Sequence, residues 1–288
     1  MGIRYDDHAE RFAQQKIIDL IRQRSGLKMV ERDLKKFVSS MEGRMAVLNM
    51  TNAQDYCQKI LMSHPGAEDE FIKLTSLIVN HETYFFRDLG HCAALEKVII
   101  PQLIENHLNY RTLKVWSAGC STGEEAYSLA IMFFRALPSW ENWRVLILGT
   151  DISYAAVEKA RLARYKENSM RTVCAKERLK YFSKEGDEWV LDPKIVSMVK
   201  FSQANLIDNA FPNTQSDFHT IDLIVCRNVF IYFHQQAIAQ IMQKFEQTLA
   251  PGGILLLGHG EAGDSDMGSL KSHLIPGSFF FEKPLLPP

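Results

Sequence analysis

The clearest chemical pattern lies between residues 117 and 125, where the sequence reads SAGCSTGEE directly before a helical stretch. A glycine-rich turn from a strand into a helix lets a ligand approach the backbone, where the first N–H groups of the helix have no partner. Gly119 and Gly123 give the spacing G-x-x-x-G, which differs from the G-x-G-x-x-G of dinucleotide-binding proteins. The turn alone is therefore ambiguous, and a purely structural turn explains it at least as well.

Acidic residues near this turn narrow the choice of ligand. Glu124 and Glu125 follow Gly123, and Asp151 follows the next predicted strand, where a carboxylate can accept hydrogen bonds from ribose hydroxyls. Two acids at the start of a helix can also simply complement the helix dipole. Carboxylates beside the turn would repel a pyrophosphate but suit a cationic nucleoside such as S-adenosylmethionine, with its sulfonium and ammonium groups. The pattern favours this cofactor over a dinucleotide.

The elements that must position these residues alternate between strands and helices from about residue 113. The sequence predicts strands at 113–118, 144–150, 221–226 and 254–258, with helices over 124–137, 154–163 and 235–249. This alternation predicts an α/β fold with a parallel sheet that binds ligands at the carboxyl ends of its strands. Residues 165–203 are polar and interrupt the alternation, and their short β-like runs, including 195–199, predict a small antiparallel insert.

The first 75 or so residues are predicted to be helical. One helix carries an apolar stripe, which consists of Leu34, Phe37, Val38, Met41 and Met45. A break is predicted at 64–67, before a further helix over 70–79. The segment 11–44 holds nine Lys or Arg residues against four acids. This local excess fits either a solvated helix surface or a docking surface for an acidic partner.

Composition argues against several classes of protein. Thirty-three basic and 34 acidic residues give a net charge of −1, which disfavours a general attraction to nucleic acid or anionic lipid. The apolar runs are far shorter than the roughly 18–20 residues that span a bilayer, and the start, MGIRYDDHAERF, lacks the apolar stretch of a signal peptide. The five scattered cysteines and the absence of C-x-x-C and H-E-x-x-H motifs predict a cytoplasmic protein without disulfides or a metal.

Five segments carry a resemblance to a known family, in the same order along the chain. They are NHETYFFR at 80–87, WSAGCSTGEEAYS at 116–128, GTDI at 149–152, CRNVFIYF at 226–233 and LAPGG at 249–253. The sequence resembles the chemotaxis receptor glutamate methyltransferases (CheR-type) over most of its length, as far as residue 281. The resemblance implies a helical N-terminal domain at 1–79 and a linker with a cofactor-pocket motif at 80–112. A Rossmann-like methyltransferase domain would follow at 113–288, with an inserted β-subdomain at 165–203.

The resemblance also implies the residues of the pocket. Arg87 and Tyr232 match the catalytic positions, and Tyr232 matches a tyrosine near the transferred methyl group. The positions that match cofactor contacts are His81, Thr83, Arg87, Gly119, Glu125, Asp151, Asn205, Leu206, Arg227 and Asn228. The family usually has asparagine where His81 stands, so His81 either contacts the cofactor or packs elsewhere. Phe85 and Phe86 are expected in the core, although an apolar wall beside the sulfonium is the alternative.

The activity that the resemblance implies is transfer of a methyl group from S-adenosylmethionine to glutamate side chains of chemoreceptor cytoplasmic domains. The products would be glutamyl methyl esters and S-adenosylhomocysteine. A glutamate with a pKa near about 4.3 is ionised at pH 7, so no general base is needed. Arg87, Arg227 and Tyr232 are the candidates to orient its carboxylate. We expect a monomer without nucleic-acid or membrane partners, and an insert that binds a receptor C-terminal peptide weakly or not at all.

Two other functions remain open on the sequence. A small-molecule carboxyl methyltransferase could use the same fold, although the basic helical segment and the motif at 80–87 favour a protein substrate. A chemosensory adaptor could bind S-adenosylmethionine without catalysis. The presence of Glu125, Asp151, Arg227, Asn228 and Tyr232 argues against that alternative.

Overall fold

The computed structural model describes residues 7–61, 66–137, 139–208, 220–261, 263 and 266–285. The first six residues and positions 64 and 65 of the predicted break lie outside this part of the chain. In the described part, no helix combines the length and apolar character that a membrane crossing needs.

The N-terminal region is helical, as the sequence predicts, and the described part contains four helices. They are α1 (Asp7–Ser25), α2 (Glu31–Val47), α3 (Ala53–Leu61) and α4 (Ala67–Ile78). Phe37, Met41 and Met45 of the predicted stripe are buried, whereas Leu34 is 38% exposed and lies at the edge of the stripe. The buried stripe of α2 is therefore narrower than predicted.

A seven-stranded sheet forms the centre of the rest of the chain. Its strands are β1 (Thr112–Ala118), β2 (Arg144–Asp151), β6 (Val199–Gln203), β7 (Ile221–Cys226), β8 (Leu249–Leu257), β9 (Lys271–Ile275) and β10 (Ser278–Glu282). They are arranged in the order β6-β2-β1-β7-β8-β10-β9. The first five are parallel, and β10 runs antiparallel to β8 and to β9. The hairpin of β9 and β10 was not predicted.

Helices cover both faces of the sheet, which explains why its central strands are apolar on both sides. They are α5 (Leu89–Ala94), α6 (Ile100–Asn106), α7 (Glu124–Ala136), α8 (Tyr154–Leu162) and α11 (Gln235–Thr248), with a π-helical turn at Leu95–Ile99 between α5 and α6. Successive residues of β7 alternate: Leu223 and Val225 pack with α6 and α7, and Ile224 and Cys226 pack with α11 and the N-terminal helices. The N-terminal helices thus share a core with one face of the sheet.

The insert is shorter than the predicted 165–203. Its three-stranded antiparallel sheet has the order β3-β5-β4 and consists of β3 (Arg164–Lys166), β4 (Phe182–Glu185) and β5 (Glu188–Leu191), with α9 (Ala175–Tyr181) before β4. The run at 195–199 does not form a strand of the insert, because Asp192 caps a short helix, α10 (Pro193–Val196), and Val199 already belongs to β6. The last predicted insert residues form β6, which pairs in parallel with β2 at the edge of the main sheet.

The predicted linker, 80–112, consists of a loop followed by helices. Residues 80–88 have no helix or strand, but α5, the π-helical turn and α6 follow directly and contribute Leu95, Ile99 and Leu103 to the core. Phe86 and Asp88 have positive φ values of 51° and 68°. The linker motif is therefore a strained loop held against the sheet by the helices that follow it.

Candidate active site

The glycine turn after β1 joins the ends of two neighbouring strands. The backbone N–H groups of Gly119 and Cys120 both donate to the carbonyl of Thr150 over 2.8 Å. Gly119 has a φ of +82°, and a Cβ there would lie 2.4 Å from Cγ2 of Val229. Glycine is required at this position because the backbone is left-handed and the segment after β7 approaches closely.

Asp151 ends β2 and faces the same edge of the sheet. Its Oδ2 accepts from the backbone N–H of Ser121 over 2.8 Å, and its Oδ1 accepts from that of Ser153 over 2.9 Å. Burial raises the pKa of this carboxyl, against the opposing effect of the two backbone N–H donors and of His81. Each carboxylate oxygen has a second acceptor site, so Asp151 can also accept from hydroxyls of a ligand in the cleft.

Glu125 and Arg227 form a buried ion pair behind the turn. Glu125 Oε2 accepts from Arg227 Nε over 2.9 Å, and Oε1 accepts from the hydroxyl of Ser117 over 2.7 Å. Arg227 Nη1 donates to the carbonyl of Arg87 over 2.7 Å. Glu124 has a different role, because its carboxylate accepts from Thr122 and from Ser169 of the insert. Of the two acids after Gly123, Glu125 is the one at the cleft.

Glu261 is a buried acid that is absent from the predicted site residues. Its Oε2 accepts from the N–H of Asn228 over 2.7 Å, and its Oε1 accepts from that of Val229 over 2.8 Å. Burial raises the pKa of Glu261, and these backbone donors oppose the shift. The carboxylate thereby fixes the turn after β7, in which Asn228 has a φ of +59°. An acid shortly after the buried strand β8 was the signal that could have identified it.

His81 and Asn205 use their side chains for internal hydrogen bonds. His81 Nε2 is 3.0 Å from the carbonyl of Ser76 in α4, so the packed alternative describes its ring. Asn205 Nδ2 donates over 2.7 Å to the carbonyl of Arg24 at the end of α1. Both residues still line the cleft. They connect its rim to the N-terminal helices.

Tyr232 lies in a segment that is held in place by the residues between α1 and α2. Its carbonyl accepts from the N–H of Lys28 over 2.8 Å, and Leu27 forms a β-bridge with Phe233. The ring of Tyr232 is half-buried. Arg87, also half-buried, uses Nη1 to donate to the carbonyl of Glu82 over 2.7 Å. Contacts between the N-terminal region and the segment after β7 thus help to fix the position of Tyr232.

One cleft brings together all of the predicted site residues. It is lined by His81, Thr83, Arg87, Gly119, Glu125, Asp151, Asn205, Leu206, Arg227, Asn228 and Tyr232. Residues that were not predicted also line it, among them Asn80, Ser121, Ile152 and Val229. Phe85 is fully buried, and its ring packs edge-on against Tyr165 and Phe182, at centroid distances of 4.8 and 5.0 Å. Phe85 is therefore a core residue rather than a wall of the cleft.

The fold and the cleft define a class of protein. A Rossmann-like parallel sheet with acceptor carboxylates at the ends of adjacent strands suits a nucleoside ligand. The residues also fit S-adenosylmethionine, since Asp151 offers acceptors for ribose hydroxyls and the left-handed turn at Gly119 leaves the backbone open to a ligand. Carboxylates at these ends suit a cationic cofactor better than a pyrophosphate.

Comparison with known proteins identifies the family. The family model for the CheR methyltransferase, SAM binding domain, matches residues 81–273. The chemotaxis protein methyltransferase of Borreliella burgdorferi is 30% identical over 250 residues, which cover 85% of this chain and 86% of that protein. Those of Listeria monocytogenes and Listeria innocua are 36% and 37% identical over 193 residues, 67% of this chain and 68% of each relative. The chain belongs to the CheR methyltransferase family, and its cofactor is S-adenosylmethionine.

Proposed function

We propose that the protein methylates glutamate side chains on the cytoplasmic domains of chemoreceptors and acts in the cytoplasm as a monomer. The observation that carries this proposal is the convergence of every residue at the matched family positions on one cleft at the carboxyl edge of the sheet. The relatives named chemotaxis protein methyltransferases support the assignment of the substrate to the receptor pathway. Formation of a glutamyl methyl ester is the reaction that the cleft suits.

S-adenosylmethionine supplies an electrophilic methyl group when it is bound. The glutamate carboxylate is already ionised near pH 7, so the protein has to orient the reactants and exclude water rather than remove a proton. Holding two reactants in line can lower the activation barrier by about 7–11 kcal/mol. A pocket for this reaction needs few donors near the carboxylate, because a tightly paired carboxylate is a weaker nucleophile.

The hydrogen bonds of the cleft divide the predicted donors into two groups. Arg227 is buried, and its Nε and Nη1 are occupied by Glu125 and by the carbonyl of Arg87. Its role in our proposal is to position Glu125 and the backbone of Arg87. Arg87 and Tyr232 are half-buried at the cleft and can turn donors toward an entering carboxylate. We therefore assign orientation of the substrate to Arg87 and Tyr232.

We infer the cofactor contacts from the hydrogen-bond acceptors near the ends of β1 and β2. Asp151 would accept from the ribose hydroxyls, and Glu125 would face the charged amino-acid part of the cofactor. The segment around Asn205 and Leu206 would lie along the adenosine. Because the side chain of Asn205 holds the carbonyl of Arg24, its backbone is the part left to contact the ligand.

The test is incubation of the protein with methyl-labelled cofactor and a receptor cytoplasmic domain. We expect label in the receptor that mild base releases as methanol, and no such label when the receptor glutamates are replaced by alanine. Base-stable label would contradict ester formation. Binding of S-adenosylhomocysteine without any labelling would instead support the adaptor alternative, and labelling of small carboxylic acids alone would support the small-molecule enzyme.

A further inference from the structure

A short segment of the insert, residues 169–172, lies against the loop at residues 80–88. The N–H of Phe85 donates to the carbonyl of Ser169 over 3.0 Å, and the hydroxyl of Thr172 donates to the carbonyl of Phe85. The loop contains no helix or strand, so contacts from other parts of the molecule must fix its path. The insert therefore supplies part of the support that the loop lacks.

The side chain of Arg171 makes two further contacts with this loop. Its Nη2 donates to Glu82 Oε1 over 3.1 Å, and its Cζ lies 3.5 Å from the centroid of the Tyr84 ring. Its Nη1 donates to Asn168 Oδ1 over 3.4 Å, within the insert. A planar guanidinium can stack on an aromatic ring while its N–H groups bind a carboxylate, which a lysine ammonium does less well. One arginine thus holds two side chains of the loop.

The same two residues of the loop support Arg87. Arg87 Nη1 donates to the carbonyl of Glu82 over 2.7 Å, and its Cζ lies 5.7 Å from the centroid of the Tyr84 ring. The next residue back, Phe86, has a φ of 51°, and strained backbone of this kind persists only where the surrounding structure holds it. Without Arg171, the supports of the Arg87 guanidinium would lose their own anchor.

We propose that Arg171 is a positioning residue for methyl transfer. By holding Glu82 and Tyr84, it keeps the guanidinium of Arg87 at the cleft, and this inference rests on the proposed role of Arg87 in orienting the substrate carboxylate. Arg171 is not among the described residues that line the cleft, so it acts through the loop. A displacement of about 1 Å in a positioning group can slow an enzyme by about 100-fold, so a surface contact can matter at this place.

The beginning of the loop has anchors that do not involve Arg171. His81 Nε2 lies 3.0 Å from the carbonyl of Ser76 in α4, and the carbonyl of His81 accepts from the hydroxyl of Ser121 over 3.2 Å. These contacts tie the first part of the loop to α4 and to the glycine turn. We therefore expect loss of Arg171 to lower kcat on the receptor and to change the affinity for the cofactor much less.

The kinetic test compares Arg171→Ala with Arg164→Ala. Both arginines belong to the insert, and their side chains are 35% and 37% exposed, but Arg164 pairs with Glu185 of β4 and Glu188 of β5. Arg171→Ala should lower kcat by about tenfold, which corresponds to roughly 1.4 kcal/mol of transition-state stabilisation. Arg164→Ala should keep the wild-type kcat. Circular dichroism and S-adenosylhomocysteine binding check that both variants fold.

A double-mutant cycle with Arg87→Ala separates positioning from a general loss of structure. If Arg171 acts through Arg87, Arg171→Ala should slow the Arg87→Ala protein much less than it slows the wild type. An equal slowing of both proteins would overturn the proposal. A fall in S-adenosylhomocysteine affinity as large as the fall in kcat would do the same.

Hydrogen exchange of the loop tests the proposal without any methylation. The N–H groups of Phe85 and Phe86 donate to the insert and to the hydroxyl of Ser128, and both should exchange faster in Arg171→Ala than in Arg164→Ala. Mass spectrometry of loop peptides measures the difference. Equal exchange in the two variants would contradict the positioning role. If the wild type labelled no receptor, the proposed function would fail, and the exchange result alone would decide whether Arg171 holds the loop.

Discussion

At the scale of single residues, the partner of each buried carboxylate determines what that carboxylate can do. Both carboxylate oxygens of Glu261 accept from backbone N–H groups of the turn after β7, and Glu125 is paired with Arg227. Asp151 also holds backbone N–H groups but remains at the surface of the cleft. The sequence identified Glu125 and Asp151 from their places after strands, whereas the role of Glu261 depends on contacts with a distant segment.

The first prediction concerns Asp151 as an acceptor for the cofactor ribose. Asp151→Asn should weaken S-adenosylhomocysteine binding by about 1.5–3 kcal/mol, the scale of hydrogen bonds to a charged group. Titration calorimetry measures this change. Because burial raises the pKa of Asp151, the affinity of the wild type should also fall on acidification at a higher pH than for an exposed aspartate.

Asp192→Asn is the matched control for Asp151→Asn. Asp192 likewise accepts from a backbone N–H, that of Lys194 over 2.8 Å, but it caps α10 and does not line the cleft. Its substitution should leave the affinity unchanged. If a folded Asp151→Asn variant bound S-adenosylhomocysteine with wild-type affinity, Asp151 would not be a contact of the cofactor.

The second prediction concerns the hydroxyl of Tyr232. Tyr232→Phe should lower kcat by about 10–100-fold, which corresponds to one positioning hydrogen bond of roughly 1.4–2.7 kcal/mol. Cofactor affinity should change little, and the rate should stay flat from about pH 6.5 to 8.5, because the nucleophile is ionised throughout. Steady-state kinetics with the receptor as substrate measure kcat and its pH dependence. A tenfold rise per pH unit in the wild type that disappears in Tyr232→Phe would show that the tyrosine acts as a base.

Tyr110→Phe serves as the control for Tyr232→Phe. Tyr110 is 82% exposed and lies between α6 and β1, outside the lining of the cleft. Loss of its hydroxyl should leave kcat and the affinity for the cofactor at wild-type values. An equal loss of rate in both variants would mean that the effect does not come from the cleft.

At the scale of elements, local pattern predicted the parallel core but not its edges. The predicted strands at 113–118, 144–150 and 221–226 agree with β1, β2 and β7 to within a residue at each end, because buried parallel strands form continuous apolar runs. The membership of β6 in the main sheet depends on pairing with β2, which no local pattern encodes. Apart from Gly119, Glu125 and Asp151, the pocket residues were identified through a family resemblance, since their convergence is likewise a property of the assembled sheet.

The third prediction concerns the contact between α6 and β7. His107 Nε2 lies 3.1 Å from Asp222 Oδ1, and its Nδ1 lies 2.8 Å from the carbonyl of Leu103. Asp222 raises the pKa of His107, chiefly through this hydrogen bond. The contribution of the pair to the free energy of unfolding is therefore fully present below the ordinary histidine pKa of about 6.5 and is lost as pH rises through the raised value.

His107→Gln should consequently destabilise the protein more at pH 5.5–6 than at pH 9. Urea unfolding of the wild type and the variant at several pH values measures the difference. His273→Gln is the control, because its Glu282 partner lies in the β9–β10 hairpin rather than at the α6–β7 contact. A destabilisation by His107→Gln that grows as pH rises would contradict this interpretation.

At the scale of the whole molecule, the N-terminal helices do more than cover the sheet. They hold the segment of Tyr232 through Lys28 and the rim of the cleft through Arg24. Part of the basic segment 11–44 is also structural, since Arg44 pairs with the buried Glu70 and Lys36 Nζ donates to the carbonyls of Ile78 and Val79. Arg32 and Lys35 remain exposed and are the better test of a docking surface.

The fourth prediction is that these exposed charges attract an acidic surface of the proposed receptor substrate. Reversal of Arg32 and Lys35 to glutamate should raise the KM for the receptor, and added salt should do so in the wild type, because exposed charges are screened over about 8–10 Å. The affinity for the cofactor should change much less. Reversal of Lys97 and Lys271, which are exposed and lie outside the four N-terminal helices, changes the net charge equally and is the control. Equal KM values in the two double variants would mean that Arg32 and Lys35 belong to a solvated helix surface and not to a docking surface.

The most direct test of glutamate methylation is to locate the transferred methyl group by peptide mass spectrometry of a receptor incubated with the wild-type protein and S-adenosylmethionine. We expect methyl groups on glutamate side chains, because the cleft offers donors to orient an ionised carboxylate and the reaction needs no base. When the concentration of the cofactor is limiting, we expect the Asp151→Asn protein to transfer fewer methyl groups to the same glutamates. Methyl groups confined to lysine, cysteine or the chain terminus would contradict the proposed function.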